Sequence, residues 1–429
     1  MTRVTAAITG MGLVTSVGRT VDEVFEAQCS GRSGLRRPPA GHLLDGQLEV
    51  GGFGPELDGS EVMPATEART VDRYVVMAMF AAEDALRDAG LVVGRDVDPY
   101  RVAVVVSGTG GLALLESQVV ARTARGRVGV SPYMLPGMLP NMGAARIAIK
   151  YGIRGYSSAI ATACAAGGQS IGEAVRLLRT GEADVVVAGC SEAPLFPTLV
   201  DTFGNARALA RGWKDDPTGA CRPFDRRRNG LVLAEGAGVF VLERAEHASA
   251  RGAAGYADVL GWGATTDAHH PTTPRPDGSG AAECMRRALA DAGLSGSDIG
   301  YLNAHGTSTK LGDIAEVLAI RTVFGDDTPP VSSTKAVSGH ILGASGVVEA
   351  AVTVTALRRG LLPPTHNLDD PDPACDVDHI VKTPRPTTTQ YALSNSFGFG
   401  GHNVSLVFGP ASTGPKRVNS PATSQEGQR

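Results

Sequence analysis

The sequence lacks three features that mark common classes of protein: a large excess of one charge, paired cysteines and a long apolar run. Its formal net charge at pH 7 is −4 over 429 residues, so binding to nucleic acid or to a membrane surface is not expected. The six cysteines include no Cys-x-x-Cys pair, which excludes a disulfide framework or a cysteine zinc site and is typical of a reduced, cytosolic enzyme. No run of about 18 apolar residues predicts a membrane span, and the N-terminus lacks the apolar core of a signal peptide.

Glycine, by contrast, is abundant. The 55 glycines are interleaved with apolar segments, which favours tight turns and close backbone approaches over disorder. A hydrophobic content of 42% over this length is enough for one large domain or two fused globular domains. Only residues 411–429, rich in Ser, Pro, Gln and Gly, are predicted to form a disordered tail.

Three short segments of the first half recur, in the same order, in the second half. They are ITGMG at 8–12 with VLGWG at 259–263, ALRDAGL at 85–91 with ALADAGL at 288–294, and SGTG at 107–110 with HGTS at 305–308. Such ordered matches indicate duplication of an α/β unit. Strands that alternate with helices predict buried, mostly parallel sheets in two fused halves, residues 1–253 and 254–410, with an active site that draws residues from both.

Cys164 is a candidate covalent nucleophile. A short apolar run at 159–161 leads to it, and an amphipathic helix with Ile171, Val175 and Leu178 on one face follows. This pattern places the thiol near a helix N-terminus, where the macrodipole favours a thiolate and free N–H groups can stabilise an oxyanion. The alternative is a small core residue among alanines.

The second half contains two histidines and a lysine of interest. His305 follows a short apolar strand beside glycine and hydroxyl residues, where loops often carry function, although a structural histidine in a turn is an equal alternative. His340 follows a glycine and precedes a helical pattern at 347–357. Lys335 is a further candidate, and the alternative is that it serves only in a buried ion pair, since a buried lysine needs a partner. The candidate partners are the carboxylates of Asp313, Glu316 and Glu349.

The segment NSFGFGGHN at 395–403 is poor core material. Alternating glycine and phenylalanine is consistent with a gate that has exposed backbone N–H groups, and alternatively with a hairpin turn before the strand at 404–408.

Three other motifs match functional patterns only in part. Ser170 completes a GxSxG pattern but lies inside the predicted helix, whereas the strand-to-helix turn is occupied by Cys164. The GMG sequence at 10–12 lacks the third glycine of a dinucleotide-binding loop. His269 and His270 are adjacent, so their side chains diverge and no metal site is expected.

Four motifs together carry a resemblance to a known family. They are TACAAGG at 162–168, NAHGTST at 303–309, KAVSGHILGASG at 335–346 and NSFGFGGHN at 395–403. With them the chain closely resembles the β-ketoacyl-[acyl-carrier-protein] synthases, and most of all their elongating bacterial type II class, from about Val4 to Gly409. The resemblance implies the α/β thiolase fold, in which two βαβαβαββ halves form an αβαβα layered sandwich.

The resemblance also implies a decarboxylative Claisen condensation. Cys164 would accept an acyl chain as a thioester from acyl carrier protein, and a malonyl extender on a second carrier protein would follow. His305 and His340 would promote decarboxylation and stabilise the enolate-like charge. The backbone N–H groups of Cys164 and Phe399 would hold the oxyanion, and Phe399 would act as a gate. Lys335, paired with Glu316, would orient the histidines.

Further positions match the family's substrate contacts. No bound cofactor and no metal are implied, because the substrates are carried on the 4′-phosphopantetheine of acyl carrier protein. The implied phosphopantetheine contacts are Thr272, Thr307 and Thr309, and the implied carrier-protein contacts are Arg69 and Arg207, for which a merely solvated charge is an equal alternative.

Two departures from the family concern the acyl chain. Thr109 stands where elongating fatty-acid enzymes often have a bulkier aliphatic residue bordering the acyl pocket, and Ala165 stands where many relatives have a hydroxyl residue. Both favour a specialised polyketide or polyene role over housekeeping lipid synthesis.

The resemblance leaves several hypotheses about the protein class and the partner subunit. Fatty-acid elongation predicts a homodimer that is active alone, whereas the ketosynthase subunit of a type II polyketide system works as a heterodimer with a chain-length-factor-like subunit. A noncatalytic chain-length factor lacks the reactive cysteine, so Cys164 argues against it. A thiolase acting on coenzyme A needs a second cysteine and a different histidine arrangement. Neither nucleic acid nor a membrane is expected as a partner.

Overall fold

A computed structural model describes residues 5–416 of the chain. Its strands are β1 Ala6–Val14, β2 Leu35–Arg36, β3 Gly51–Gly52, β4 Val102–Ser107, β5 Ser157–Ser158, β6 Val185–Glu192, β7 Gly236–Arg244, β8 Ala257–Thr266, β9 Leu302–Asn303, β10 Val331–Ser332, β11 Leu361–Leu362, β12 Arg385–Pro386, β13 Ala392–Gly398 and β14 His402–Gly409. Its α-helices are α1 Val21–Ser30, α2 Ala65–Ala68, α3 Arg73–Ala89, α4 Leu112–Arg125, α5 Met134–Met138, α6 Met142–Tyr151, α7 Ala166–Arg179, α8 Pro197–Asn205, α9 Ala245–Ala250, α10 Ser279–Ala292, α11 Lys310–Phe324, α12 Lys335–Ser338 and α13 Ser345–Arg359. Among these helices none is long and apolar enough to cross a membrane.

Ten strands form one mixed sheet, in the order β10-β9-β13-β14-β8-β1-β7-β6-β4-β5. The prediction of mostly parallel sheets is wrong, because every pairing along the run from β13 through β14, β8, β1 and β7 to β6 is antiparallel. The halves meet where β1 pairs antiparallel with β8, with Ala6 opposite Val259 and Ile8 opposite Ala257. Each half has the same strand order from its edge to this seam, and each follows the same element sequence: β1-α3-β4-α6-β5-α7-β6-β7 and β8-α10-β9-α11-β10-α13-β13-β14. The predicted βαβαβαββ halves and α/β thiolase fold are therefore confirmed, and the predicted boundary after residue 253 falls in the connection between β7 and β8.

The repeated glycine motifs are explained by helix–strand packing. A Cβ at Gly10 would lie 2.2 Å from the carbonyl oxygen of Ala85, so α3 packs directly on the backbone of β1. In the second half a Cβ at Gly261 would lie 2.5 Å from the carbonyl oxygen of Ala288, so α10 packs in the same way on β8. Both motifs thus hold a helix close to a strand, which gives the glycines of the GMG sequence a structural role.

The inner layer consists of two buried helices, α7 and α13, which contact each other. Helix α7 also contacts β4 and β6, and α13 contacts β7 and β13. Two glycines allow this approach, since a Cβ at Gly167 would lie 2.5 Å from the carbonyl oxygen of Gly343, and a Cβ at Gly346 would lie 2.9 Å from the nitrogen of Gly168. The N-terminal ends of these helices, one from each half, therefore meet at the centre of the molecule.

The start of the predicted tail is packed rather than disordered. Thr413 is buried, and the Nζ of Lys416 lies 2.7 Å from a carboxylate oxygen of Asp88 and 2.9 Å from the carbonyl oxygen of Thr9. These contacts hold residues 411–416 on the first half of the chain. The rest of the predicted tail, residues 417–429, lies outside the described residues.

Candidate active site

Cys164 lies in a short 3₁₀ turn, Ala163–Ala165, that leads directly into α7. The turn places a non-glycine residue, Ala163, at φ +50°, a left-handed conformation that costs free energy. The second half has an equivalent turn, Leu342–Ala344, that leads into α13 with Leu342 at φ +45°. Such strain is typical of functional sites, and here it occurs at both central helix starts.

His340 is the residue that contacts the cysteine. Its Nε2 lies 3.1 Å from the sulfur of Cys164, and its Nδ1 lies 3.1 Å from the hydroxyl oxygen of Ser345. The N–H of Ile341 already donates to that oxygen at 2.9 Å, so the serine hydroxyl can give its own proton to Nδ1. This tautomer keeps a hydrogen on Nε2, facing the sulfur.

His305 lies beside His340, and the two rings are 5.4 Å apart at an angle of 83°. The ammonium group of Lys335 donates to the carbonyl oxygen of His305 at 2.6 Å and lies 3.5 Å from its Nδ1. Because an ammonium group can only donate, Nδ1 is the acceptor and the ring hydrogen is on Nε2. Both histidines are therefore oriented to donate from Nε2 at this site.

The predicted ion pair between Lys335 and Glu316 is wrong. Lys335 forms its ion pair with Glu349 of α13, and both side chains are buried. Glu316 instead accepts hydrogen bonds from the backbone N–H groups of His305 at 2.8 Å and Gly306 at 2.7 Å. Glu316 therefore fixes the histidine loop, because its carboxylate satisfies two buried N–H groups that face it, whereas Glu349 balances the lysine.

Burial decides the protonation states at this site. It lowers the pKa of His305 and of His340 well below the ordinary value, with a further contribution from the charge of Lys335, so both rings are neutral. Burial raises the pKa of the Cys164 thiol to about 12, and the buried carboxyl group of Glu192 adds to this effect. Burial therefore opposes the thiolate that the helix start was expected to favour at Cys164.

The segment at 395–403 forms a hairpin between β13 and β14, with Gly398 opposite His402. The hairpin interpretation is thus confirmed, and it places Phe399 at the tip, 42% exposed and stacked on Phe203 with 6.1 Å between ring centroids. A Cβ at Gly398 would lie 3.0 Å from the backbone nitrogen of Cys164. The missing side chain therefore leaves space beside the N–H group expected to hold an oxyanion.

The predicted phosphopantetheine contacts lie on two loops. The hydroxyl oxygens of Thr307 and Thr309 are 3.0 Å apart, directly after His305 in the chain. Thr272 is exposed beside the hairpin, because the carbonyl oxygen of the preceding Pro271 accepts a hydrogen bond from the N–H of Gly400 at 2.7 Å. Their predicted role fits these positions and stays a prediction.

The two predicted carrier-protein contacts are both exposed. Arg207 follows α8, four residues after Phe203, and has a left-handed φ of +56°. Arg69 lies between α2 and α3. Both roles stay predictions.

Glu192 is a residue that sequence reasoning missed. It ends β6 with 3% of its surface exposed, and it accepts from the N–H of Thr109 at 3.2 Å and from the Thr109 hydroxyl at 3.0 Å. A carboxylate directly after a buried apolar strand was the available signal, since sites gather at the carboxyl ends of strands.

Ser170, the serine of the hydrolase-like pattern, is structural. It is fully buried, and its hydroxyl lies 2.6 Å from that of Ser107 and donates to the carbonyl oxygen of Ala166 at 2.9 Å. In the described range, 5–416, no cluster of three or more His, Cys, Asp or Glu side chains could hold a metal ion.

Comparison with known families agrees with this site. The beta-ketoacyl synthase N-terminal domain matches residues 4–248, and the beta-ketoacyl synthase C-terminal domain matches residues 256–369. The chain belongs to the beta-ketoacyl synthase family. It is accordingly an acyltransferase of the ketosynthase type.

Individual relatives cover nearly the whole chain. The 3-oxoacyl-[acyl-carrier-protein] synthase 2 of Vibrio harveyi is 42% identical over 412 residues, which are 95% of this chain and 99% of the relative. The 3-oxoacyl-[acyl-carrier-protein] synthase 2 of Staphylococcus aureus is 38% identical over 410 residues, which are 94% of this chain and 100% of the relative.

Solved structures include both single ketosynthases and complexes. A beta-ketoacyl synthase from Burkholderia phymatum superposes with a TM-score of 0.88 at 35% identity, over 95% of this chain and 100% of that one. The ishigamide ketosynthase/chain length factor gives a TM-score of 0.88 at 31% identity, over 96% and 100%. A type II polyketide acyl-carrier protein in complex with its ketosynthase, bound to the hexaketide, gives a TM-score of 0.87 at 31% identity, over 95% of this chain and 100% of that one.

Proposed function

We propose that this chain extends an acyl thioester on Cys164 by decarboxylative condensation with a malonyl group carried on acyl carrier protein. The observation that carries the proposal is the contact of 3.1 Å between the sulfur of Cys164 and Nε2 of His340, with the neutral ring of His305 beside it. Each half of the chain supplies one part of this arrangement, the nucleophile from the first and the histidines from the second.

In the first step the sulfur of Cys164 attacks the carbonyl carbon of the incoming acyl thioester. The new carbon–sulfur bond forms, the bond to the carrier's pantetheine sulfur breaks, and the thiol proton of Cys164 passes to that leaving sulfur. The backbone N–H groups of Cys164 and Phe399 hold the negative oxygen of the intermediate, and the space at Gly398 supports this assignment. Movement of Phe399 away from Phe203 would open the site to the extender.

In the second step the malonyl group loses carbon dioxide. The electron pair of the broken carbon–carbon bond becomes an enolate, whose oxygen accepts hydrogen bonds from Nε2 of His305 and His340. The enolate carbon then attacks the Cys164 thioester: a carbon–carbon bond forms, the carbon–sulfur bond breaks, and the released thiolate takes a proton from water. Neutral rings suit this step, because decarboxylation itself supplies the carbanion and no strong base is required.

The substrates are proposed to arrive on acyl carrier protein rather than on a resident cofactor. The pantetheine arm would pass the hydroxyl groups of Thr307 and Thr309 and the exposed Thr272 beside the hairpin. Exposed Arg69 and Arg207 would contact the acidic surface of the carrier protein.

A second subunit is proposed to cover α4. Every residue of this amphipathic helix is at least partly exposed in the described chain, and apolar side chains are exposed on it and on the segment that follows; they include Val119, Val120, Val128, Tyr133 and Leu135. An apolar surface of this kind is typical of a protein interface. The partner is either a second copy of this chain or a chain-length-factor-like subunit.

Fatty-acid elongation and type II polyketide synthesis are the two pathways considered. The relatives named 3-oxoacyl-[acyl-carrier-protein] synthase 2 support the first. The neighbouring ketosynthase and chain-length-factor complexes, together with the small polar Thr109, support the second.

The decisive experiment is mass spectrometry of the purified chain with acyl carrier proteins. Acyl-loaded carrier should acylate Cys164, and malonyl-loaded carrier should then yield a product about 42 Da heavier than the starter. Acylation without elongation would indicate a missing partner subunit or the wrong extender; restoration of elongation by an added chain-length factor would identify the heterodimeric system. Failure of several starters to acylate the protein would overturn the proposed function.

A further inference from the structure

Glu192 is a buried carboxyl group that the condensation steps do not use. It accepts hydrogen bonds from the N–H and the hydroxyl of Thr109, in the turn after β4, and it packs against Gly343, in the turn before α13, where a Cβ would lie 2.8 Å from its Oε1. Its side chain thus joins an element of the first half to the turn that follows His340 in the second half.

The carboxyl group also lies against the turn of the nucleophile. A Cβ built on Gly343 would lie 2.8 Å from Oε1 of Glu192, 2.9 Å from the sulfur of Cys190 and 3.1 Å from the carbonyl oxygen of Ala163. Ala163 is the residue directly before Cys164. The side chain of Glu192 therefore meets the Gly343 turn at the point where that turn touches the turn of Cys164.

Both turns need external support. Ala163 and Leu342 are held at φ +50° and +45°, and such residues persist only where the surroundings fix them. We propose that Glu192 is a positioning residue for the reacting pair: held by Thr109 and packed against Gly343, its carboxyl group keeps the turn that follows His340 against the turn of Cys164. This inference rests on the proposed condensation and names a residue that supports its geometry.

The same carboxyl group carries an electrostatic consequence. Burial raises the pKa of Glu192 to about 7; Thr109 donates to it, the neutral backbone of Gly343 lies beside it, and the buried thiol of Cys190 lies in its field. Cys164 is faced by His340 and lies in the field of Glu192 and of the charged groups Lys335 and Glu349. Ionised Glu192 therefore opposes formation of the Cys164 thiolate.

The variant Glu192→Gln affects the two roles in measurably different ways. Removal of the charge changes the alkylation of Cys164, whereas an NH₂ group that faces N–H donors disturbs the positioning of the turns and therefore changes kcat. We expect Cys164 to be alkylated by iodoacetamide at lower pH, with the apparent pKa of the thiol reduced by about one unit. We expect kcat for condensation to fall at least about tenfold, with KM for the malonyl-loaded carrier changed less than about twofold. Alkylation of Cys164 is followed by peptide mass spectrometry.

Two further variants serve as controls. Glu192→Asp keeps the charge and should restore the alkylation profile of the wild type. Asp258→Asn removes another buried carboxyl group whose pKa is raised, to about 6, and which accepts from the N–H of Ser412 rather than from the site. It should leave both the alkylation profile and kcat unchanged.

The proposal is overturned if Glu192→Gln retains the wild-type kcat, or if its activity falls only in proportion to a loss of folded protein. A lower pH midpoint of alkylation together with a fall in kcat supports it only if circular dichroism and the urea midpoint match the wild type, because unfolding would also expose the buried thiol of Cys164 and raise its alkylation. Failure of the proposed function is distinguishable, because wild-type protein would then accept no acyl group from its carrier.

Discussion

Cys164 and Gly343 occupy equivalent positions in the two halves of the chain. Each is the second residue of a 3₁₀ turn that leads into an inner helix, and each follows a non-glycine residue with a positive φ. The first half uses the position for a nucleophile. The second half leaves it without a side chain and places its functional residue, His340, three residues earlier.

The first prediction concerns the nucleophile. Cys164→Ala should reduce condensation at least about 1000-fold, because the acyl-enzyme cannot form. Circular dichroism should show a folded protein. Cys284→Ala is the matched control, since Cys284 is buried between α10 and β8, and intact-protein mass spectrometry should show that it still becomes acylated. An acyl group on Cys164→Ala would refute the assignment.

A second prediction assigns His305 to the decarboxylation step rather than to the acylation step. His305→Ala should still accept an acyl chain, because the contact with the sulfur is made by His340, but it should release carbon dioxide from the malonyl carrier at least about 100-fold more slowly. Release of labelled carbon dioxide measures this step directly. Normal decarboxylation by this variant would contradict the role given to His305.

The buried ion pair gives a third prediction. Lys335→Met should destabilise the protein by about 3–5 kcal/mol, because it leaves Glu349 buried without its partner. The double variant Lys335→Met, Glu349→Leu should recover part of that loss. Urea unfolding measures both, and an additive effect of the two substitutions would argue against the pair.

Acid pH provides a fourth prediction. The folded protein keeps the pKa of His305 far below the value of about 6.5 that the unfolded chain has, so below that pH the unfolded state binds the extra proton. The contribution of His305 to the free energy of unfolding, which is fully present at neutral pH, is therefore lost as the pH falls below about 6.5. The free energy of unfolding of the wild type should decrease in this range relative to that of His305→Asn, which shares all other titratable groups. A constant difference between the two would contradict a neutral His305.

The hairpin gives a fifth prediction. Gly398→Ala should slow acylation of Cys164 at least about tenfold, because the added Cβ would lie 3.0 Å from the nitrogen of Cys164 and 2.6 Å from the carbonyl oxygen of Thr162. Gly204→Ala adds the same group where the structure has nothing within 4 Å, and it should acylate at the normal rate. Equal acylation rates for the two variants would show that the space at Gly398 is not used.

The fold and the chemical groups were predictable because they depend on local patterns. The ordered repeats predicted two equivalent halves, and the motifs around Cys164, His305 and His340 predicted the residues that meet. Choosing the partner of Lys335 was not possible from sequence, since Asp313, Glu316 and Glu349 are all plausible until the packing of α13 is known. Glu192 was missed for a similar reason. It ends β6 and its partner Thr109 follows β4, and the two residues become neighbours only because β4 and β6 pair in the sheet.

The protonation of Cys164 shows a further limit of sequence reasoning. The start of a helix is visible in a sequence, and it favours a thiolate. The depth of burial around that helix is not visible, and here it opposes the thiolate by raising the pKa of the thiol to about 12.

The position of β1 also affects how the chain can be assembled. It precedes the other described strands in the chain, and among them it pairs with the much later β7 and β8, with Ile8 opposite both Leu242 and Ala257. More than half of the chain must therefore leave the ribosome before the first strand finds a neighbour. Until then the N–H and C=O groups along both edges of β1 have no sheet partner and are open to incorrect pairing, so we expect the central seam to be among the last parts of the fold to form.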